Sequence, residues 1–168
     1  MKFRAARTSD ASSLAAIAIE VWLGTYIRKG VNAFFADYAL SEFTAPRFET
    51  IMQDRDEHIL VSENEEGIDG FIRITDRKSA PVPCGATTEI ATLYVQPGHR
   101  GKGIGKGLLR EALRKCAADG VPSLWLCVNS ENTAAIAFYL AQGFENIGQT
   151  HFRIRDEAYL NEVLLRAL

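Results

Sequence analysis

Apolar positions along the chain alternate between strand-like and helical spacing. The short apolar stretch from Phe3 to Ala6 predicts a strand. The apolar positions that follow recur at helical offsets, at Leu14, Ile17, Ala18, Val21 and Trp22. Such spacing places one apolar stripe on a helix, and the preceding Thr8, Ser9 and Asp10 are residue types that cap helix starts. The chain is therefore predicted to open with a strand and then a helix.

The next hundred residues turn from helical to strand-like spacing. Between residues 26 and 52 the spacing is that of one or two short helices, with apolar positions at Phe34, Phe35, Tyr38, Leu40, Phe43, Phe48 and Ile51. Two strand-like runs follow, His58–Glu63 and Ile68–Thr75, and the polar connection 64–67 between them ends in a glycine, which predicts a hairpin. A third run, Thr88–Val95, predicts another strand.

Helical spacing returns after residue 103. Apolar residues from Ile104 to Cys116 recur at offsets of three to five, and Gly120 and Pro122 end this helix. The run Ser123–Val128 is almost continuously apolar, which is typical of a central strand covered on both faces. A strand, a helix and a second strand in this order predict a crossover connection.

The last part of the chain predicts one helix and two strands. Asn132–Gln142 is spaced as a helix that Gly143 closes, and strands are expected around Gln149–Ile154 and Tyr159–Leu165. The resulting fold class is α+β. A chain of 168 residues can bury about two thirds of its unfolded surface in one core, so residues 1–168 are predicted to form a single domain.

Charge and composition narrow the classes of function. The chain has 19 Lys and Arg against 21 Asp and Glu, a formal net charge of −2. A nucleic-acid-binding surface needs an excess of basic residues to neutralise phosphates, so no nucleic-acid partner is expected. The apolar stretch from Leu14 to Leu23 is interrupted by Glu20, which argues against a signal segment or membrane span. No membrane partner is expected, and the predicted location is cytoplasmic.

Neither the cysteines nor the histidines follow a metal-binding pattern. Cys84, Cys116 and Cys127 lack CxxC spacing, and we predict that they are reduced thiols. The chain contains three histidines and no HExxH pair. The sequence therefore predicts no metal site.

The glycine-rich run 98–107 is the most informative segment. It lies between a predicted strand and a predicted helix, where unpaired backbone N–H groups and the positive end of the helix dipole attract an anion. The dinucleotide fingerprint GxGxxG fails in both registers, because Lys106 or Leu108 stands at the third glycine. The triphosphate pattern GxxxxGK[ST] fails as well, since no Ser or Thr lies in the run. Neither NAD nor ATP is therefore favoured.

The same run fits the pattern Arg100-x-x-Gly103-x-Gly105, and this resembles the Q/R-x-x-G-x-G/A loop of the GCN5-related N-acetyltransferases (GNAT). Two flanking blocks extend the similarity, Leu93-Tyr94-Val95-x-Pro97 and Asn132-x-x-Ala135-x-x-Phe138-Tyr139-x-x-x-Gly143-Phe144. Together they cover residues 87–144. The resemblance implies the GNAT fold, in which helices flank a mixed central β-sheet.

The resemblance also implies acetyl-CoA as co-substrate. Loop amides would wrap the pyrophosphate of coenzyme A, and the end of the Thr88–Val95 strand would pair with its pantetheine arm. The coenzyme-binding residues implied are Leu93, Tyr94, Val95, Arg100, Gly101, Lys102, Gly103, Ile104, Gly105, Lys106 and Asn132. Glycines suit the loop because a Cβ would keep the backbone from phosphate oxygens, and some of these positions require a positive φ. The side chains of Lys102 and Lys106 are either phosphate ligands or ordinary exposed lysines.

Two residues are candidates for acid and base catalysis. Tyr139 matches the family tyrosine that assists the departing thiolate; otherwise it is a core aromatic, a role for which Phe138 is the better candidate. Glu89 is the carboxylate of the Thr88–Val95 strand and our candidate for the base that deprotonates the amine. An equally plain interpretation pairs Glu89 with a surface Lys or Arg.

The resemblance implies that the acceptor lies against the segment between the first strand and the first hairpin, and against the loop before the last strand. Trp22 and Tyr26 are the candidates for contact with an amine through cation–π interaction, although both residues also suit helix packing, Trp22 more so. The predicted function is acetyl transfer to a primary amine of a small molecule, by direct attack on the thioester. Transfer to a protein or peptide amino group is one alternative, and a non-catalytic acyl-CoA sensor is another. A homodimer is left open, since the final strands offer an edge that a second copy would cover.

Overall fold

The computed structural model describes residues 1–27 and 29–168. In these residues the strands are β1 (Lys2–Ala5), β2 (Glu57–Glu63), β3 (Ile68–Thr75), β4 (Glu89–Val95), β5 (Ser123–Asn129), β6 (Glu145–Ile154) and β7 (Glu157–Ala167). The helices are α1 (Ala11–Tyr26), α2 (Ala33–Glu42), α3 (Ala45–Gln53), α4 (Ile104–Ala118) and α5 (Thr133–Ala141). Single 3-10 turns lie at Thr8–Asp10 and Pro97–His99.

The strands form one mixed sheet in the order β1-β2-β3-β4-β5-β7-β6. The β1–β2, β5–β7 and β6–β7 pairs are antiparallel, whereas β4 and β5 run parallel, with Glu89 opposite Trp125. Helix α4 connects this parallel pair and supplies the predicted crossover. The α+β class and the mixed sheet are therefore confirmed.

Two compact units are distinguished by their internal contacts, and the first comprises residues 1–73 and 92–112. Its core lies between helices α1 and α3 and the hairpin β2–β3, and includes Leu14, Ile17, Val21, Phe48, Val61 and Phe71. Gly107 of α4 lies against β1, where a Cβ at this position would overlap the ring of Phe3. This glycine is therefore needed for the close approach of α4 to β1.

Gly107→Ala is expected to lower the free energy of unfolding by about 1–3 kcal/mol, because the added methyl group overpacks against Phe3. Gly24→Ala is the matched control, since it also lies in a helix but a Cβ there meets no atom within 4 Å. We expect the control to gain about 0.5–1 kcal/mol from reduced chain entropy. Urea denaturation of both variants measures the difference, and a stabilised Gly107→Ala variant would contradict the packing argument.

The second unit comprises residues 74–91 and 113–168. Trp125 of β5 is buried in its core and its Nε1–H donates to the carbonyl of Lys78 at 2.8 Å. The irregular segment over residues 79–85 packs against this core through Ala80, Val82 and Cys84. The aromatic ring and the indole hydrogen bond thus hold an irregular segment against the strands.

Most predicted elements are confirmed, and some details differ. The hairpin 58–75 and the helices of the first half are present, with two helices between residues 33 and 53. Asp10 is the N-cap residue of α1, but its side chain does not cap that helix: the carboxylate accepts hydrogen bonds from the guanidinium of Arg4 at 2.7 Å and from the N–H of Arg7 at 2.7 Å. Strand β6 begins at Glu145, earlier than expected. A register shift between Asn146 and Gly148 interrupts the alternation there, so the sequence pattern does not show where the strand begins.

Candidate active site

The glycine-rich run forms a short turn, a loop and the first turn of α4. Strand β4 ends at Val95, the 3-10 turn Pro97–His99 follows, and α4 begins at Ile104. Gly101 and Gly103 have φ of +77° and +81°, and a Cβ at either position would meet no atom within 4 Å. The expectation that some loop positions require a positive φ is therefore confirmed for these two glycines. The space beside them is open.

The first amides of α4 precede the helical hydrogen-bond ladder. The N–H of Gly107 donates to the carbonyl of Gly103 at 2.9 Å, so the N–H groups of Ile104, Gly105 and Lys106 precede the first intrahelical bond. Ile104 is 2% exposed and anchors the helix start, whereas the side chain of Lys106 is exposed. Free amides, a helix dipole and nearby cations make this segment suited to bind a multiply charged anion.

Two more cations flank these amides. Arg100 and Lys102 are both exposed residues of the loop. Exposed lysine and arginine side chains attract an anion over a range of about 10 Å at moderate salt. The direct phosphate contact proposed for Lys102 and Lys106 stays a prediction, and so does that of Arg100.

Residues 93–95, at the end of β4, pack against β3 in the first unit. The ring of Tyr94 packs edge-on against Phe71 with centroids 5.7 Å apart. Its carbonyl would lie 2.9 Å from a Cβ at Gly70, so that glycine lets β3 approach the β4 backbone. Leu93 and Val95 are half-buried. The Tyr94 side chain thus serves packing, and the coenzyme contacts predicted for residues 93–95 are those of the main chain.

Asn132 lies at the start of α5 as its N-cap. Its side-chain oxygen accepts a hydrogen bond from the N–H of Ala135 at 3.2 Å. The helix itself begins at Thr133, one residue later than the sequence predicted. The side-chain oxygen of Asn132 therefore caps the helix. The predicted contact of Asn132 with pantetheine would be made by its side-chain nitrogen.

Tyr139 lies on α5 in an apolar surrounding. The residue is 8% exposed, and its ring meets Phe138 and Phe144 with centroids 5.2 and 5.5 Å apart. Burial raises the pKa of the Tyr139 hydroxyl. A phenol with a raised pKa keeps its proton at neutral pH and acts as a hydrogen-bond donor. The ring therefore packs as a core aromatic residue would. The hydroxyl is protonated, which is the state that the catalytic role requires.

Glu89 is the first residue of β4 and is half-buried. Burial, together with the charge of Glu89, raises the pKa of the Cys127 thiol to about 11. Cys127 lies two residues after Trp125, the partner of Glu89 in the parallel pair, and therefore on the same face of the sheet. The carboxylate thus faces the side of β5 that carries Cys127. Its role as a base stays a prediction.

An aromatic cluster joins α1 and α2. Trp22 is 4% exposed; its ring stacks on Tyr38 with centroids 4.8 Å apart and lies tilted against Tyr26 at 4.7 Å. The rings of Phe35 and Phe43 lie within 6.1 Å of it. Burial, assisted by Glu42, raises the pKa of Tyr38 to about 12. This geometry favours packing as the role of Trp22. The half-buried Tyr26 is the better candidate for acceptor contact, and that contact stays a prediction.

Sequence reasoning missed one buried carboxylate near the loop. Asp69 of β3 is 4% exposed, and its Oδ2 lies 3.5 Å from Nδ1 of His99 in the turn before the loop. An acidic residue at a core-facing position of a mostly apolar strand is a signal that the sequence does contain. Its partner is 30 residues away in the chain, however, and only the structure brings the two together.

The described ranges contain neither a metal-binding cluster nor a membrane-spanning helix. Residues 1–27 and 29–168 contain no group of three or more His, Cys, Asp or Glu placed to hold a metal ion. The helices formed by these residues are all too short or too polar to cross a membrane.

An α+β fold with a mixed sheet and a glycine-rich loop between β4 and α4 is the architecture that the sequence resemblance implies, and comparison with known proteins identifies the class. The family described as "Acetyltransferase (GNAT) family" matches residues 25–144. The match covers the loop and the blocks that flank it. The chain therefore belongs to the GNAT family and is an N-acetyltransferase of the class EC 2.3.1.

Full-length relatives agree with this placement. A protein of Mycobacterium tuberculosis named as an uncharacterized N-acetyltransferase is 28% identical over 95% of this chain and 99% of its own length. The structure of PaiA N-acetyltransferase from Thermoplasma acidophilum in complex with coenzyme A has a TM-score of 0.79 at 19% identity and covers 99% of this chain and 98% of its own. The structure of YncA from Salmonella typhimurium with acetyl-CoA has a TM-score of 0.73 at 21% identity and covers 100% and 94%. These two structures share the fold.

Proposed function

We propose that this protein transfers an acetyl group from acetyl-CoA to a primary amine of a small molecule. The observation that carries the proposal is the open loop at the start of α4, where Gly101 and Gly103 have positive φ and the amides of Ile104–Lys106 precede the first helical bond. Such a loop fits a diphosphate, since side chains are absent where phosphate oxygens approach. The CoA complexes of PaiA and YncA support acetyl-CoA as the co-substrate.

The amine must lose a proton before it attacks. An amine with a pKa of about 10.4 is almost fully protonated at pH 7, and exposing its lone pair costs about 4.6 kcal/mol. Under the proposal Glu89 takes this proton, directly or through water. Bound acetyl-CoA supplies an activated acetyl group; the amine nitrogen bonds to the acetyl carbon and the carbon–sulfur bond breaks.

The departure of the thiolate is the second step that a catalytic group assists. A thiol of this kind has a pKa of about 8.5, so the sulfur leaves more readily when a donor meets its developing charge. We assign the donor to the hydroxyl of Tyr139, whose pKa burial raises. Because its pKa lies above that of the thiol, its main contribution is a hydrogen bond to the sulfur as the bond breaks, and solvent completes the proton transfer.

A covalent acyl-enzyme is disfavoured by the state of the cysteines. Cys84, Cys116 and Cys127 are free thiols. Burial raises the pKa of Cys116 and of Cys127 to about 11. Because the thiolate is the nucleophile, these two thiols are poorly reactive at neutral pH. Direct attack by the amine on the thioester is therefore the proposed route.

Calorimetry and thiol release test the proposed function together. Purified protein is titrated with coenzyme A and with acetyl-CoA, and free thiol is then followed over a panel of small amines and peptides. We expect heat on binding and acceptor-dependent thiol release with a small amine. Release with peptides alone would assign a protein amino group as the acceptor. Binding without release would indicate a sensor, and no heat with either ligand would overturn the proposal.

Gly103→Ala tests whether the loop itself holds the coenzyme. An alanine at φ +81° costs roughly 1–2 kcal/mol, and its Cβ would occupy the space left for the diphosphate. We expect the dissociation constant of coenzyme A to rise by about tenfold or more. Gly85→Ala is the matched control, with φ +76° and equally open surroundings in another loop. An equal loss of affinity in both variants would argue against the loop as the binding site.

A further inference from the structure

A buried carboxylate next to the coenzyme loop is incompletely satisfied. The Oδ2 atom of Asp69 accepts a hydrogen bond from Nδ2 of Asn64 at 3.0 Å. The other carboxylate oxygen, Oδ1, is buried and has no hydrogen-bond partner among the described residues. A carboxylate removed from water with one amide donor is held at a considerable free-energy cost. It therefore attracts a neighbouring group that can carry a proton or positive charge.

That group is His99. Its Nδ1 lies 3.5 Å from Oδ2 of Asp69, and its side chain is about one third exposed. An imidazole at this distance offers the carboxylate an N–H or, when protonated, a full positive charge. Because the side chain of Asp69 is 5% exposed, solvent screens this attraction weakly.

The main chain ties the same two segments together. The N–H of Gln96 donates to the carbonyl of Asp69 at 3.0 Å, and the N–H of His99 donates to the carbonyl of Gln96 at 2.8 Å. His99 is the last residue of the turn, and Arg100 begins the loop. Asp69 thus contacts both ends of the Gln96–His99 segment, one through its backbone and the other through its side chain.

We propose that Asp69 and His99 are positioning residues for the coenzyme loop. Their contact fixes the turn from which Arg100–Gly103 departs, and so presents the loop amides in the conformation that meets the diphosphate. A loop held in its binding conformation loses less entropy when the ligand arrives, and its affinity is higher. This inference rests on the proposed binding of coenzyme A by the loop. Neither residue touches the reacting atoms in this assignment.

The test separates coenzyme binding from turnover. Asp69→Asn and His99→Ala are each expected to raise the dissociation constant of coenzyme A, and KM for acetyl-CoA, by about three- to tenfold. The value of kcat at saturating acetyl-CoA stays near that of the wild-type protein. His99→Asn restores most of the affinity, because its side-chain nitrogen takes the place of Nδ1 and still donates to the carboxylate.

A double variant and a matched control make the test specific. Because the two residues act through each other, the Asp69→Asn/His99→Ala protein is expected to bind no more weakly than the weaker single variant. Glu57→Gln is the control, since Glu57 pairs with Arg73 at 2.6 Å on the same hairpin. It should lower the free energy of unfolding without changing coenzyme affinity.

The outcomes distinguish this inference from the proposed function. Failure of the wild-type protein to bind coenzyme A overturns the proposed function, and the inference with it. Normal binding by the wild-type protein and by both single variants overturns the inference alone. Multiplied losses in the double variant, or a fall in kcat at saturation, would also overturn it, because they indicate independent or structural effects.

Discussion

Tyr139→Phe is expected to lower kcat by about 10²–10⁴-fold while the dissociation constant of coenzyme A stays near its wild-type value. The substitution removes the hydroxyl and keeps the ring, so the contacts with Phe138 and Phe144 are preserved. Since burial raises the pKa of Tyr139, the wild-type hydroxyl is protonated throughout the range in which the enzyme would be assayed. The whole effect should therefore appear in the step that releases the thiolate.

Thiol release at saturating acetyl-CoA and acceptor measures this prediction, with calorimetry as the binding check. Tyr159→Phe is the control, because it makes the same chemical change on β7, opposite Phe152 of β6. The control is expected to turn over at the wild-type rate. An unchanged kcat for Tyr139→Phe would remove the hydroxyl from the mechanism and leave the aromatic ring as a core residue.

Local sequence chemistry was enough to predict a glycine loop suited to an anion between β4 and α4; coenzyme A as that anion came from the family resemblance. A strand, a glycine run and a helical period in succession specify where amides are unpaired, and the structure gives Gly101 and Gly103 the positive φ that only glycine adopts freely. The crossover through α4 follows from the same order of elements. These features depend on neighbours within a few residues, which a sequence displays directly.

Features that depend on specific side-chain contacts or on strand register were missed or misjudged. Asp10 looked like a helix cap because its local neighbours are capping types, yet Arg4 and Arg7 take its carboxylate. The start of β6 was placed too late, because the irregular register near Gly148 hides the period of two. The contact of Asp69 with His99 likewise joins two segments that no local pattern connects.

Glu89→Gln is expected to lower kcat/KM for the amine by about 10²–10⁴-fold at pH 7. The deficit should shrink by about tenfold for each unit of pH up to the pKa of the amine, because the fraction of free amine rises by that factor and the base is no longer needed. Glu145→Gln, which alters an exposed carboxylate at the start of β6, is the control and should keep the wild-type pH profile.

A second measurement on the same variant reports the charge of Glu89 independently of turnover. Burial and the Glu89 carboxylate together raise the pKa of Cys127 to about 11, so removing that charge should lower the pKa of the thiol. Alkylation of Cys127 followed by mass spectrometry against pH would then show a faster reaction in the variant, since the thiolate fraction is larger. A lowered thiol pKa with unchanged kcat/KM would establish Glu89 as an ionised residue of the sheet and exclude it as the base.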